Sequence, residues 1–159
     1  MTQFTASSAA PPTTGSILVA EDEEDDVLLI QRAFKKARVA NPLHVVRDGQ
    51  QAVEYLAGAG PYADRQANPM PVMLLLDLKM PRKNGHEVLE WIRAQPTPLR
   101  RLPVVVLTSS REAPDVNRAF ELGASSYLLK PVSIDGLVQV IQTLNMYWFI
   151  MGAVPEVNE

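Results

Sequence analysis

The residues of this chain best placed to do chemistry are carboxylates at the ends of short apolar runs. Pro71-Val-Met-Leu-Leu-Leu-Asp77 is five apolar residues stopped by an acid, and Pro81 and Gly85 mark the next segment as a loop. Ser16-Ile-Leu-Val-Ala20 stops in the same way at Glu21 and Asp22, the first two of six consecutive acids. Runs that short and that apolar suit strands buried on both faces, and the prolines around Asp77 fit a helix poorly. A carboxylate where such a strand emerges lies at the carboxyl edge of a parallel sheet, where open α/β folds bind ligands. The plainer alternative is an Asp that caps a loop. Thr108 ends a third run, Val104-Val-Val-Leu107, and Lys130 ends a fourth, Tyr127-Leu-Leu129.

Gathered at one rim, three carboxylates ~4–5 Å apart repel by roughly 3–4 kcal/mol per pair at an effective dielectric near 20. They stay ionised together only if a cation joins them. The chain has no cysteine and two histidines, His44 and His86, so thiolate and multi-histidine metal sites are excluded. A hard, oxygen-bound ion such as Mg²⁺ fits, and its open water positions suit phosphoryl oxygens. An Asp carboxylate is a competent nucleophile toward phosphorus and gives an acyl phosphate. Thr108 can donate a hydrogen bond to one phosphoryl oxygen, and Lys130 can neutralise another.

The elements that must hold these groups are set by periodicity. After the first run, Val27, Ile30, Ala33, Phe34 and Ala37 recur at helical spacing through Arg38. The acids Glu24 to Asp26 suit that helix's first turn, and Lys35, Lys36 and Arg38 its last. Leu43-His-Val-Val46 is a strand containing His44, and Asp48-Gly49 opens a helix with Ala52, Val53 and Leu56 inward. Gly58 to Pro71 reads as a long loop. Asn84 to Arg93 reads as a helix burying Val88, Trp91 and Ile92, with His86 on its surface. Thr108-Ser109-Ser110 precedes a helix with Val116, Ala119 and Phe120 inward, stopped by Gly123. Ser133 caps a last helix carrying Ile134, Leu137, Val138, Ile141 and Leu144. Five strands alternating with five helices imply a doubly wound parallel sheet covered on both faces.

At 159 residues and net charge -3 the chain reads as one domain with no general attraction to nucleic acid or anionic lipid. It has no apolar run of membrane-spanning length and no secretory signal, and a cytoplasmic location is expected. Residues 1–15 are small and polar, without charged side chains, and are expected to be a disordered leader. The domain is expected over 16–145, with an apolar extension over 146–159.

Glu21-Asp22, Asp77 with Leu-Lys-Met-Pro-Arg-Lys-Asn-Gly after it, Thr108 behind an apolar strand, and Lys130-Pro131 together resemble the response-regulator receiver domain of two-component signalling. The resemblance runs over about residues 16–145. It implies a five-stranded flavodoxin-like sheet of strand order 2-1-3-4-5, with Asp77 accepting phosphate from a sensor histidine kinase. It further implies Mg²⁺ held by Asp22, Asp77 and the Lys79 carbonyl, with Glu21 helping through water. Thr108 and Lys130 would contact the phosphoryl group, and the peptide bond before Pro131 would be cis. Lys79 and Ser110 stand where the family tunes phosphoryl lifetime. Tyr127 matches the family's switch aromatic, coupled to Thr108 and reshaping the face of the fourth helix, fifth strand and fifth helix; the alternative is a half-buried strand tyrosine.

The tail Asn145-Met-Tyr-Trp-Phe-Ile-Met151 is too apolar for all of it to face the domain's own core. It either folds back on the domain or forms an interface. With the long loop before Asp77, it makes the chain similar to stand-alone response regulators paired with bacterial phytochromes. That implies a bacteriophytochrome kinase as partner and a homodimer through Tyr147, Trp148 and Phe149, with no direct nucleic-acid or membrane binding. Two rival readings remain: an aspartyl-phosphate hydrolase, which needs an acid where Lys79 stands, and a receiver-like interaction module that is never phosphorylated.

Overall fold

The computed structural model of the chain describes residues 15–130 and 133–146. Strands and α-helices alternate along it: β1 (Ile17–Ala20), α1 (Glu24–Lys36), β2 (Leu43–Val46), α2 (Gly49–Ala57), β3 (Met73–Leu76), α3 (Gly85–Arg93), β4 (Val104–Thr108), α4 (Ala113–Glu121), β5 (Ser126–Leu129) and α5 (Ile134–Met146). All strand pairs are parallel, in the order β2-β1-β3-β4-β5. This is the doubly wound α/β sheet that the alternating pattern predicts.

The central strands β1, β3 and β4 are buried at every residue, and the edge strand β5 is half-buried throughout. Alternate side chains of the central strands feed two cores. Leu18, Leu74, Leu76, Val104 and Val106 pack with Ala52, Leu56, Val88, Leu89, Ile92 and Ala119 from α2, α3 and α4. Val19, Met73, Leu75, Val105 and Leu107 pack with Ile30, Phe34, Leu137 and Ile141 from α1 and α5.

Helix boundaries carry their own chemistry. The Asp48 carboxylate accepts from Gln51 N at 2.8 Å, and Gly58 ends α2 at φ 68°. Asn84 and Glu87 form a reciprocal capping box at α3, and Ser133 Oγ accepts from Gly136 N at 3.0 Å, as expected of a cap. The long loop after α2 is tied down by Arg65, which donates to the carbonyls of Tyr55, Leu56 and Asn68.

Two inward assignments and one helix end differ from expectation. Phe120 is half exposed, because only Ala119 of α4 reaches the core; its ring lies beside Tyr127, centroids 6.4 Å apart. Leu89 is fully buried in α3, whereas Trp91 is half-buried and packs at the margin of the core. Helix α1 ends at Lys36, and Arg38 adopts a left-handed φ of 61° beyond it.

Gly85 places α3 directly against the chain leaving β3. A Cβ there would lie 2.5 Å from the Asp77 carbonyl oxygen and 2.7 Å from Leu78 Cα. Both neighbours are backbone and cannot swing aside. Gly85→Ala is therefore expected to lower stability by about 1–3 kcal/mol, as overpacking does. A fall in the urea midpoint at unchanged m checks it; an unaltered midpoint refutes the close approach.

Candidate metal and phosphoacceptor site

Register brings the acids together. Ala20 pairs with Leu76, so Glu21 and Asp77 leave adjacent strands side by side, and Asp77 N donates to the Ala20 carbonyl at 3.1 Å. On the far side Thr108 pairs with Leu129, and Lys130 N donates to the Thr108 carbonyl at 2.8 Å. Glu21, Asp22 and Asp77 each offer a carboxylate oxygen within 4.8 Å of the other two.

Glu21 is 1% exposed and Asp77 5%. Asp22 Oδ1 is buried and has no hydrogen-bond partner. A carboxylate oxygen shielded from water with no donor is costly unless a cation meets it. This all-oxygen donor set with an orphaned buried oxygen fits a hard divalent cation.

The Lys130 ammonium lies against the same cluster, 2.8 Å from Glu21 Oε1, 2.8 Å from Asp26 Oδ2 and 3.3 Å from Asp77 Oδ2. Its three N–H donors are thereby all used. Asp77 Oδ1 accepts from Lys79 N at 3.2 Å, so both oxygens of Asp77 are engaged. Burial alone would draw the Lys130 pKa down, but the hydrogen bonds to Asp26 and Glu21 and the charge of Asp77 outweigh it and hold it above the ordinary lysine value.

Thr108 is fully buried at the rim; its Oγ1 accepts from Ser110 N at 3.4 Å, and it makes no hydrogen bond to Asp77. Tyr127 is half-buried and its hydroxyl donates to the Ser110 carbonyl at 2.9 Å, so it meets the Thr108 loop two residues on. Pro131, Tyr147, Trp148 and Phe149 lie outside the described residues.

Beside the acids an open cavity of about 520 Å³ is bordered by Asp22, Lys79, Asn84, His86 and Asp115. Asp115, on α4, accepts a hydrogen bond from the Ser110 hydroxyl, lies 3.9 Å from Lys79 Nζ, and receives His86 Nε2 at its carbonyl oxygen at 3.1 Å. His44 stays in β2, its ring 6.0 Å from that of Tyr55.

Two residues at the site are not singled out by the sequence. The helix dipole alone accounts for Asp26, although its place one turn after Asp22 puts both on one side of the α1 N-terminus. Asp115 offers no such signal, because nothing in its spacing relates α4 to the loop carrying Lys79.

Burial pushes the Glu21 carboxyl up to about 7, with the Lys130 hydrogen bond opposing and the Asp77 charge adding to the rise. An acid whose pKa is higher folded than unfolded stabilises the fold fully only below its unfolded value of 4.5, and loses that contribution as pH climbs to about 7. Metal-free protein should therefore lose stability across that window by at most about 1.4 kcal/mol per pH unit relative to Glu21→Gln. Urea titrations of both proteins at stepped pH check this; parallel curves refute it.

The model of the response regulator receiver domain matches residues 17–142. The chain is 36% identical over 127 residues to the response regulator Rcp1 of Synechocystis, covering 80% of this chain and 84% of that protein. The crystal structure of the phosphorylated cyanobacterial phytochrome response regulator RcpA superposes with a TM-score of 0.80 at 34% identity, over 90% of this chain and 99% of that one. The crystal structure of the Mn²⁺-bound form of Rcp1 gives a TM-score of 0.76 at 35% identity, over 89% and 99%. With its fold, strand order and acidic rim, the chain belongs to the response regulator receiver domain family and is a phosphoacceptor signalling domain.

Proposed function

We propose that Asp77 is the phosphoacceptor of a phytochrome-linked two-component pathway, that Mg²⁺ is the working cation, and that a sensor histidine kinase of bacteriophytochrome type is the donor. The observation that carries this reading is the convergence of Glu21, Asp22, Asp77 and Lys130 at one sheet edge. The phosphorylated RcpA and Mn²⁺-bound Rcp1 structures support it by likeness.

In the proposed transfer an Asp77 carboxylate oxygen attacks phosphorus, and the P–N bond of the kinase phosphohistidine breaks. The imidazole nitrogen leaves with the bonding electrons, and an acyl phosphate remains. Mg²⁺, held by Asp22, Asp77 and the Lys79 carbonyl with Glu21 acting through water, would supply the charge that steadies the phosphoryl oxygens. Lys130 neutralises one of those oxygens, and Thr108 must turn its hydroxyl from Ser110 toward another. That turn vacates space beside Tyr127, which moves inward and alters the face of α4, β5 and α5. Later attack by water at phosphorus breaks the acyl P–O bond, releases inorganic phosphate and restores the Asp77 carboxylate, with Lys79 and Ser110 governing access. Lys79, standing where a hydrolase needs a second acid, argues against sustained turnover.

The receiver is proposed to span residues 16–145, with 1–15 as a leader. Residues 146–159 are proposed as a dimerisation arm through Tyr147, Trp148 and Phe149, the product acting in the cytoplasm by self-association or partner binding rather than on DNA. Among the described residues no helix is long and apolar enough to cross a membrane.

Incubation with Mg²⁺ and acetyl phosphate should add one phosphoryl group to the protein, read by intact mass, and none to Asp77→Asn. Turnover of many phosphodonor molecules without a stable adduct would support the hydrolase instead. Light scattering on a chain ending at Asn145 should report monomer where the full chain reports dimer; a dimer of equal affinity would remove the arm's role.

A further inference from the structure

Asp26 has two faces to its environment. As part of the first turn of α1 it satisfies the helix dipole, but so do Glu24 and Asp25, which are exposed. Asp26 differs from both by turning onto the buried Lys130 ammonium at 2.8 Å, with its own side chain 32% exposed. The ammonium thus sits close to Glu21 and Asp26 and farther, at 3.3 Å, from Asp77.

This geometry decides how two cations share one set of acids. A divalent ion needs oxygens of Glu21, Asp22 and Asp77, and Lys130 already contacts two of those three residues. If nothing restrained the ammonium on its α1 side, its third donor would be free. The ammonium would then be free to shorten its longest contact, the 3.3 Å one to Asp77, and compete with the ion for that carboxylate. Asp26 occupies that donor and draws the ammonium to the α1 side, and its own charge deepens the negative potential in which the ion binds.

We infer that Asp26 is a positioning residue: its ion pair with Lys130 holds the ammonium back from Asp77 and so keeps the acidic rim open to a divalent cation. This rests on the proposed reading of Glu21, Asp22 and Asp77 as the metal site. It concerns a side chain that ligates neither metal nor phosphoryl group and acts only through Lys130.

The test is calorimetric titration of the full-length, unphosphorylated protein with Mg²⁺ alone. Asp26→Asn should raise the Kd roughly fivefold or more, since it loses both the charge and the pull on Lys130. Asp25→Asn, which removes the same formal charge from the same turn without touching Lys130, should change it by less than about twofold, as screening predicts. Asp26→Glu should restore most of the affinity, which a merely structural defect in α1 would not allow. Equal Kd values for parent and Asp26→Asn overturn the inference, as do equal losses in the Asp25 and Asp26 variants. If Asp26→Asn does not fold, Asp26→Ser and Asp26→Glu take its place: Ser must weaken binding and Glu must not, and the reverse order overturns the inference. A parent protein that binds no Mg²⁺ defeats the proposed function itself, an outcome distinct from parent and variant binding alike.

Discussion

Four carboxylates crowd around one buried ammonium in this molecule. Glu21, Asp26 and Asp77 contact Lys130 directly, and Asp22 stands among them with an oxygen no donor reaches. A single positive charge does not balance that many acids, and the Asp77 charge adds to the rise that burial causes in the Glu21 pKa. The site is thus short of cation by construction. On the proposed reading a divalent ion corrects the deficit, and transfer of a phosphoryl group to Asp77 restores it by putting a dianion where a monoanion stood. The same imbalance that makes the cluster costly to fold makes its charge state sensitive to both events.

Only a scaffold that does not yield can hold such a cluster. Parallel strands deliver their carboxyl ends to one edge, and here the three central strands are sealed on both faces by separate cores. Glu21 and Asp77 are each one residue past a register pair, so their separation is set by backbone pairing rather than by side-chain choice. Gly85 tightens the arrangement by letting α3 close on the Asp77 carbonyl without an intervening side chain. Lys130 follows directly from an edge strand and reaches inward across Thr108. Strand pairing thus fixes the backbone where Glu21 and Asp77 leave the sheet.

Much of this is legible in the chain because strong local signals agree with the global fold. The β3 and β4 runs are apolar at every position, which only a doubly covered strand tolerates, and the acid or hydroxyl at each run's end marks the rim. Asp48, Asn84 and Ser133 announce their caps. Features set by the distance between helices leave no such trace. Phe120 belongs to the apolar stripe of α4 by spacing, yet α4 sits too shallow on the sheet to bury it. Asp26 shows the converse limit. A local electrostatic role is sufficient to explain it, and its tertiary role depends on a lysine 104 residues later in the chain.

The shallow seat of α4 bears on how a change at Asp77 leaves the site. Buried surface anchors α1, α3 and α5, whereas α4 commits only Ala119 to the core and is otherwise held by the Phe120–Tyr127 ring contact and by polar contacts. Those contacts gather at its first turn: Asp115 engages Ser110, Lys79 and His86, and Ser110 in turn holds the Tyr127 hydroxyl. Lys79 and Ser110 lie two residues from Asp77 and Thr108, and His86 and Asp115 stand on the wall of the adjoining cavity. An element with little apolar burial and many polar tethers moves at lower cost than one locked by packing. On the proposed reading, a phosphoryl dianion on Asp77 attracts the Lys79 ammonium and the Thr108 hydroxyl together. It loosens the Lys79 tether to Asp115 of α4, the helix that commits only Ala119 to the core. The weak packing that leaves Phe120 outside the core is then the same property that lets α4 carry the signal.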